Sequence, residues 1–188
     1  IRLTNVAFSV ISSRMAQLFA WSTSYRTDLA YALAHARQGK GMSIDCISFT
    51  GTREGMTDEQ KATVEKILRK IRPAWIVHGD CVGADTDFHN IAEALRREFN
   101  YDHFRIRVRP CDHESRAWNQ NYDEICEVRP PLSRNKDIVH DGSILIATPL
   151  QQGEIRRSGT WHTIRFAKGL TQPVAIVWPN GRIRSQNF

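Results

Sequence analysis

From residue 44 onward the chain switches repeatedly between two hydrophobic periods. Short runs dominated by apolar residues occur at 44–50, 74–78, 104–108, 143–147 and 173–177. They have the length and composition of strands covered on both faces of a parallel sheet. Between them lie segments of helical period. In 57–70 the stripe is Ala62, Val64, Ile67 and Leu68, with Ile71 just beyond; in 84–99 it is Phe88, Ile91, Ala92 and Leu95. Shorter helices are predicted at 133–140 and 159–168. Thr57 with Gln60 three residues on forms a capping-box signature, and Pro73 stops the first helix.

Strands that alternate with helices pair in parallel through right-handed crossovers. The predicted fold is therefore α/β: a Rossmann-like parallel sheet flanked by helices on both faces. Residues 110–132 read as irregular and polar, long enough for a lid and carrying Trp118 and Tyr122. No internal repeat or low-complexity tract interrupts the pattern.

Residues 1–41 have a different texture, rich in Ala, Ser and Arg and almost free of acids. Met15, Leu18, Phe19, Leu29 and Leu33 fall near helical spacing, with Ser22-Thr23-Ser24 between them. The expectation is a basic, partly helical extension over 1–41 and a nucleotide-binding domain over 42–188. The extension reads as an organelle-targeting peptide, as a helical arm, or as leader sequence before a natural start at Met42. The third reading is preferred, because Met42 directly precedes the first strand.

Length and charge narrow the function classes. At 188 residues with 41% hydrophobic content, the chain supports one domain with a proper core. No apolar run approaches the roughly 20 residues of a membrane helix, so no membrane partner is expected. The formal charge of +6 points first to nucleic acid. Five basic residues against Asp28 alone lie within 1–41, however, which leaves the main body nearly balanced. A nucleic-acid partner is accordingly disfavoured. Cys46, Cys81, Cys111 and Cys126 form no C-x-x-C pair, so the expectation is four reduced thiols in a cytoplasmic protein, with no metal and no cofactor.

The small and polar residues cluster where strands hand over to helices, and in an open parallel sheet those junctions share one ligand-binding edge. Gly51, Thr52 and Arg53 follow the first strand, offering close backbone approach, a hydroxyl and a guanidinium. Gly79, Asp80, Gly83, Ala84 and Asp85 follow the second. Two glycines there bracket a turn whose amides can hold an anion, and Asp80 can take a ribose hydroxyl or fix the turn. Ser158, Gly159, Thr160 and Trp161 open the last helix as cap, phosphate seat and stacking or core aromatic. Arg134 and Asn135 open the helix before the fourth strand, where Arg134 can clamp a phosphate or carboxylate. His78 and His162 lie at the same junctions. Phosphate-loop, dinucleotide, zinc-protease and nucleophile-elbow signatures are absent from the sequence.

In this order, Phe49-Thr50-Gly51-Thr52-Arg53, His78-Gly79-Asp80-Cys81-Val82-Gly83-Ala84-Asp85, Ser133-Arg134-Asn135, Ile146-Ala147-Thr148-Pro149 and Arg157-Ser158-Gly159-Thr160-Trp161 resemble the SLOG superfamily. That group joins the DNA-processing protein DprA to the LOG cytokinin-activating enzymes, and the nearest likeness is to its compact YspA-type branch of bacteria and phages. The resemblance spans about 44–182 and implies a domain that binds a nucleotide or nucleotide-derived ligand as a sensor or processing module. A LOG-like phosphoribohydrolase cleaving the N-glycosidic bond of a nucleoside monophosphate is the alternative, with Arg134 as the catalytic arginine. The LOG catalytic Glu is replaced here by Thr163, which cannot serve as the carboxylate. Asp80, Asp85 and Glu154 are the candidate substitutes. Single-stranded DNA binding as in DprA is a further alternative; SLOG relatives often form dimers, which leaves a homodimer open.

Overall fold

The computed structural model describes residues 45–100 and 105–187. The expectations for residues 1–41, Met42, Ile44 and Phe104 lie outside them. The chain forms β1 (Cys46–Gly51), α1 (Asp58–Ile71), β2 (Trp75–His78), α2 (Ala84–Glu98), β3 (Arg105–Val108), β4 (Glu124–Ile125), α3 (Pro131–Asp141), β5 (Ile144–Thr148), α4 (Gly159–Gly169), β6 (Val174–Val177) and β7 (Ile183–Gln186). One sheet runs in the order β4-β3-β2-β1-β5-β6-β7. Every pairing is parallel except β6 with β7. This is the α/β, Rossmann-like architecture that the alternating periods predict.

Side-chain alternation in the central strands divides the core in two. Ile47, Phe49, Ile76, Ile106, Ile144 and Ile146 meet Val64, Ile67 and Leu68 of α1 and Phe88, Ala92 and Leu95 of α2. Leu145, Ala147, Val174 and Ile176 face the other way, onto Val139 of α3 and Trp161, Ile164 and Ala167 of α4. Helices therefore cover both faces. The chain builds outward from β1 to β4, then crosses back to lay β5 on the other side of β1. At that reversal α1, which follows β1, and α4, which follows β5, cover opposite faces, and it is at such a point that open α/β sheets take ligands.

Two strands and one boundary differ from the sequence expectation. β4 lies within the stretch read as irregular; at two residues it is too short to show a period. β7 was not anticipated, because Ile-Arg-Ser-Gln is polar, as edge strands often are. It is joined to β6 by a tight turn in which the Gly181 N–H donates to Trp178 O at 2.8 Å. Helix α3 starts two residues early, with Pro131 in its first turn.

The capping box is present, and Gln60 does more than cap. Its Oε1 accepts from the Thr57 N–H at 3.0 Å, and Thr57 Oγ1 accepts from the Gln60 N–H at 3.1 Å. Its buried Nε2 donates to Pro149 O at 3.1 Å and to Val177 O at 2.9 Å, pinning the start of α1 to the ends of β5 and β6. Replacing Gln60 by Leu leaves two buried carbonyls without a donor and opens the box. Denaturant unfolding is expected to show a loss of about 3 kcal/mol; a loss within measurement error would mean that these bonds contribute nothing net.

Candidate functional site

Three glycines draw the loops of the strand-end edge together. A Cβ on Gly51 would overlap Ala84 Cβ and come within 2.5 Å of Thr148 Oγ1; one on Gly83, at φ +87°, would overlap the Arg53 carbonyl. The Ala84 N–H donates to Thr52 O at 2.9 Å, and the Thr52 N–H to Thr148 O at 3.2 Å. These glycines serve close packing of α2 against β1. Thr52 turns its hydroxyl to Glu54, and Arg53 is exposed at the rim.

Gly79 is occupied differently. A Cβ there would overlap the guanidinium of Arg134, which reaches across from the second turn of α3. Arg134 is 6% exposed. Its Nη2 donates to Cys81 Sγ at 3.1 Å, its Nη1 lies 3.8 Å from Asp85 Oδ2, and its buried Nε has no acceptor. Burial pushes the Asp85 carboxyl up to about 6, against the lowering effect of Arg134. At 3.8 Å the pair is too loose to offset the loss of water around both charges. Cys81 is likewise pushed up to about 11 by burial, so its thiol stays protonated at neutral pH.

Asp80 is buried at φ +53° and fully engaged. Oδ2 accepts from Arg116 Nε at 3.0 Å; Oδ1 accepts from the Asn119 N–H at 3.0 Å and from Asn119 Nδ2 at 2.9 Å. Its carboxylate thus holds the 113–121 segment over the edge. That segment carries Trp118, 64% exposed and at φ +58°, with the Arg116 guanidinium 3.6 Å from its ring centroid.

Beneath it runs a relay of histidines. The Asp80 N–H donates to His78 Nδ1 at 3.1 Å, His78 Nε2 meets His89 Nδ1 at 3.0 Å, and His89 Nε2 meets Gln120 O at 2.5 Å. Because His78 Nδ1 accepts, its Nε2 carries the proton. His89 Nδ1 must then accept and its Nε2 donate, so both rings are neutral and their tautomers fixed. Burial holds both rings below the ordinary histidine value.

The start of α4 completes the edge. Ser158 Oγ accepts from the Trp161 N–H at 3.4 Å, and Thr160 Oγ1 donates to Gly51 O at 2.7 Å. The Gly159 and Thr160 amides, first in the helix, have no intrahelical acceptor. A Cβ on Gly159 would find only Asn135 Nδ2, at 4.0 Å, so the Asn135 amide faces an open first turn. Trp161 is 4% exposed and packs in the core beside Trp178 rather than presenting its ring to the edge. Thr163 is buried and returns its hydroxyl to Gly159 O at 3.0 Å.

The sequence-derived residues therefore fall into groups. Gly79, Asp85 and Arg134 form one cluster; Asn135 and Gly159 another. Gly51, Thr52, Gly83, Ala84 and Thr160 bind the loops to each other, Ser158 caps α4, and Trp161 belongs to the core. His89, Arg116 and Asn119 join the site without a sequence signal, and Cys81 was legible only as part of the motif after β2, since each acts on a residue on another element. Of the three carboxylates considered from the sequence, Asp80 is engaged by Arg116 and Asn119, and Glu154 is exposed and bound to Arg165 at 2.7 Å. Asp85 alone lies beside Arg134.

Among the described residues no group of three or more His, Cys, Asp or Glu could hold a metal ion, and no helix is long and apolar enough to cross a membrane. All four cysteines are unpaired. No family model matches the chain, and no curated protein matches it.

Two outcomes follow. Gly79→Ala is expected to destabilise the fold by about 2 kcal/mol or more, as overpacking does. Combining it with Arg134→Ala should cost less than the sum of the two single changes, whereas strict additivity in a denaturation cycle would separate the two residues. Stability should also fall with acidification. Below pH 6.5 the unfolded histidines take up protons that folded His78 and His89 resist. Asp85 opposes this, since its folded carboxyl takes a proton near 6 and its unfolded one near 3.8. Asp85→Asn should therefore steepen the loss of stability between pH 6.5 and 5; an unchanged slope would contradict this assignment.

Proposed function

We propose that this edge is the binding site for a nucleotide or nucleotide-derived ligand and that the domain acts as a binding module, held through the ligand's phosphate. The observation that carries the reading is Arg134: a buried guanidinium whose donors reach one thiol and no carboxylate within direct hydrogen-bonding distance. Arginine in a dry site ordinarily has its fork filled by acceptors. Here a phosphate oxygen would supply them, within the same edge as the free amides of Gly159 and Thr160 and the Asn135 amide. The β1/β5 reversal, where open α/β sheets take their ligands, supports this location, as does the resemblance to the SLOG superfamily.

A second reading, N-glycosidic hydrolysis of a nucleoside monophosphate, has one observation in its favour. Asp85 is a buried carboxyl with its proton equilibrium near 6, adjacent to Arg134, and a carboxyl so placed can exchange a proton with a reacting group near neutral pH.

The test is incubation of the full chain with a nucleotide panel, read by native mass spectrometry for retained ligand and by chromatography for released base. Retention of a nucleotide, lost in Gly159→Asp, is expected. That variant sets a carboxylate over the open first turn without steric conflict, so it should fold normally and bind at least tenfold more weakly. Retention unaffected by Gly159→Asp, or no retention at all, would remove the reading. Base release abolished by Asp85→Asn would establish the hydrolase instead.

A further inference from the structure

Away from that edge, a cavity of about 500 Å³ lies between the flank of α4 and the last two strands. Its origin is topological. Helix α4 packs over β5 and β6, and β7 adds one further antiparallel strand. Register places Arg184 beside Ile176 and Gln186 beside Val174, so both β7 residues lie on the face that α4 covers farther in. The groove left there is walled by Trp161 and Lys168 of α4, by Trp178, and by Glu154 from the β5–α4 loop; Arg184 and Gln186 complete it.

Its chemistry is specific. The two indoles lie 6.1 Å apart at 36°, and the Trp161 Nε1–H is buried without an acceptor. Lys168 and Arg184 make no ion pair with any described residue. The one carboxylate in the lining, Glu154, is paired with Arg165 at 2.7 Å. An aromatic wall beside two cations that no described residue pairs favours a flat ring bearing a negative group. The volume falls within the range of about 300–1,000 Å³ usual for small-ligand sites.

The geometry points to this groove as a second binding site, for a small planar aromatic anion such as an aromatic carboxylate. It is independent of the nucleotide reading, since its lining includes none of Gly79, Asp85, Arg134, Asn135 and Gly159. Ligand here would contact Glu154 in the same β5–α4 loop that leads to Ser158 and Gly159, so occupancy can bias the start of α4.

The experiment is titration of the ¹⁵N-labelled full chain with indole-3-carboxylate, following the indole N–H signals, with neutral indole and inorganic phosphate as separate probes. The expected result is saturable shifts of the Trp161 and Trp178 signals, weakened about tenfold in the Lys168→Gln/Arg184→Gln double variant, with indole or phosphate alone weaker by a similar factor. Arg184 is exposed, and Lys168 is half-buried without an ion pair to any described residue, so the variant should fold. No shift of these two signals up to roughly 10 mM would overturn the proposal. So would shifts the double variant leaves unchanged, or phosphate matching the carboxylate. Displacement by a nucleotide with the same dependence on Lys168 and Arg184 would support the site, with the base as the flat ring and the phosphate as the negative group it takes.

Discussion

The edge depends on how closely α2 is allowed to approach β1. Gly51 has no side chain where Ala84 packs, and Gly83 has none where the Arg53 carbonyl lies. Those two absences let the Ala84 amide reach Thr52 O and let Thr52 reach β5. The loops after β1, β2 and β5 thereby become one surface, and Thr160 ties the start of α4 into it through Gly51 O. A methyl group at either glycine would push the β2–α2 loop away. The Gly79–Arg134 contact, which also demands a bare backbone, could not then form.

On that base the polar groups divide the work by how completely they are satisfied. Asp80 has three donors on its carboxylate and spends them on holding the 113–121 segment. The His78–His89–Gln120 relay does the same from below, with fixed tautomers. Arg134 is the contrast, buried to the same degree but short of acceptors. A fully bonded group orders the protein, whereas an underbonded one stores affinity for whatever completes it. That difference separates the scaffold of the edge from its candidate contact with ligand.

Much of the fold was legible because the central strands and the helices have unmistakable periods, and because Thr57 with Gln60 and Pro73 punctuate α1. The antiparallel β7 escaped because Arg184, Ser185 and Gln186 have no apolar face, although Asn180-Gly181 is an ordinary hairpin signal after a strand. The edge itself was legible from glycines at strand ends, but their purposes were not. Gly51 and Gly83 make room for protein, Gly79 for Arg134, and only Gly159 leaves open space. Trp161 and Trp118 show the same limit: sequence placed both near the edge, and packing sent one into the core and left the other exposed. The histidine relay joins residues eleven apart on different elements to a carbonyl in a loop, which no local pattern encodes.

The central claim is that Arg134 is the unfilled anion contact of this edge. The Nε–H of Arg134 is a resolved probe of its own surroundings, observable by ¹⁵N-correlated NMR and assigned with Arg134→Lys. Adding a nucleoside monophosphate to the full chain should shift that signal and slow its exchange with water, as an acceptor closes on the buried nitrogen. A nucleotide that binds while the Arg134 signal stays in place and exchanges as before would contradict the account.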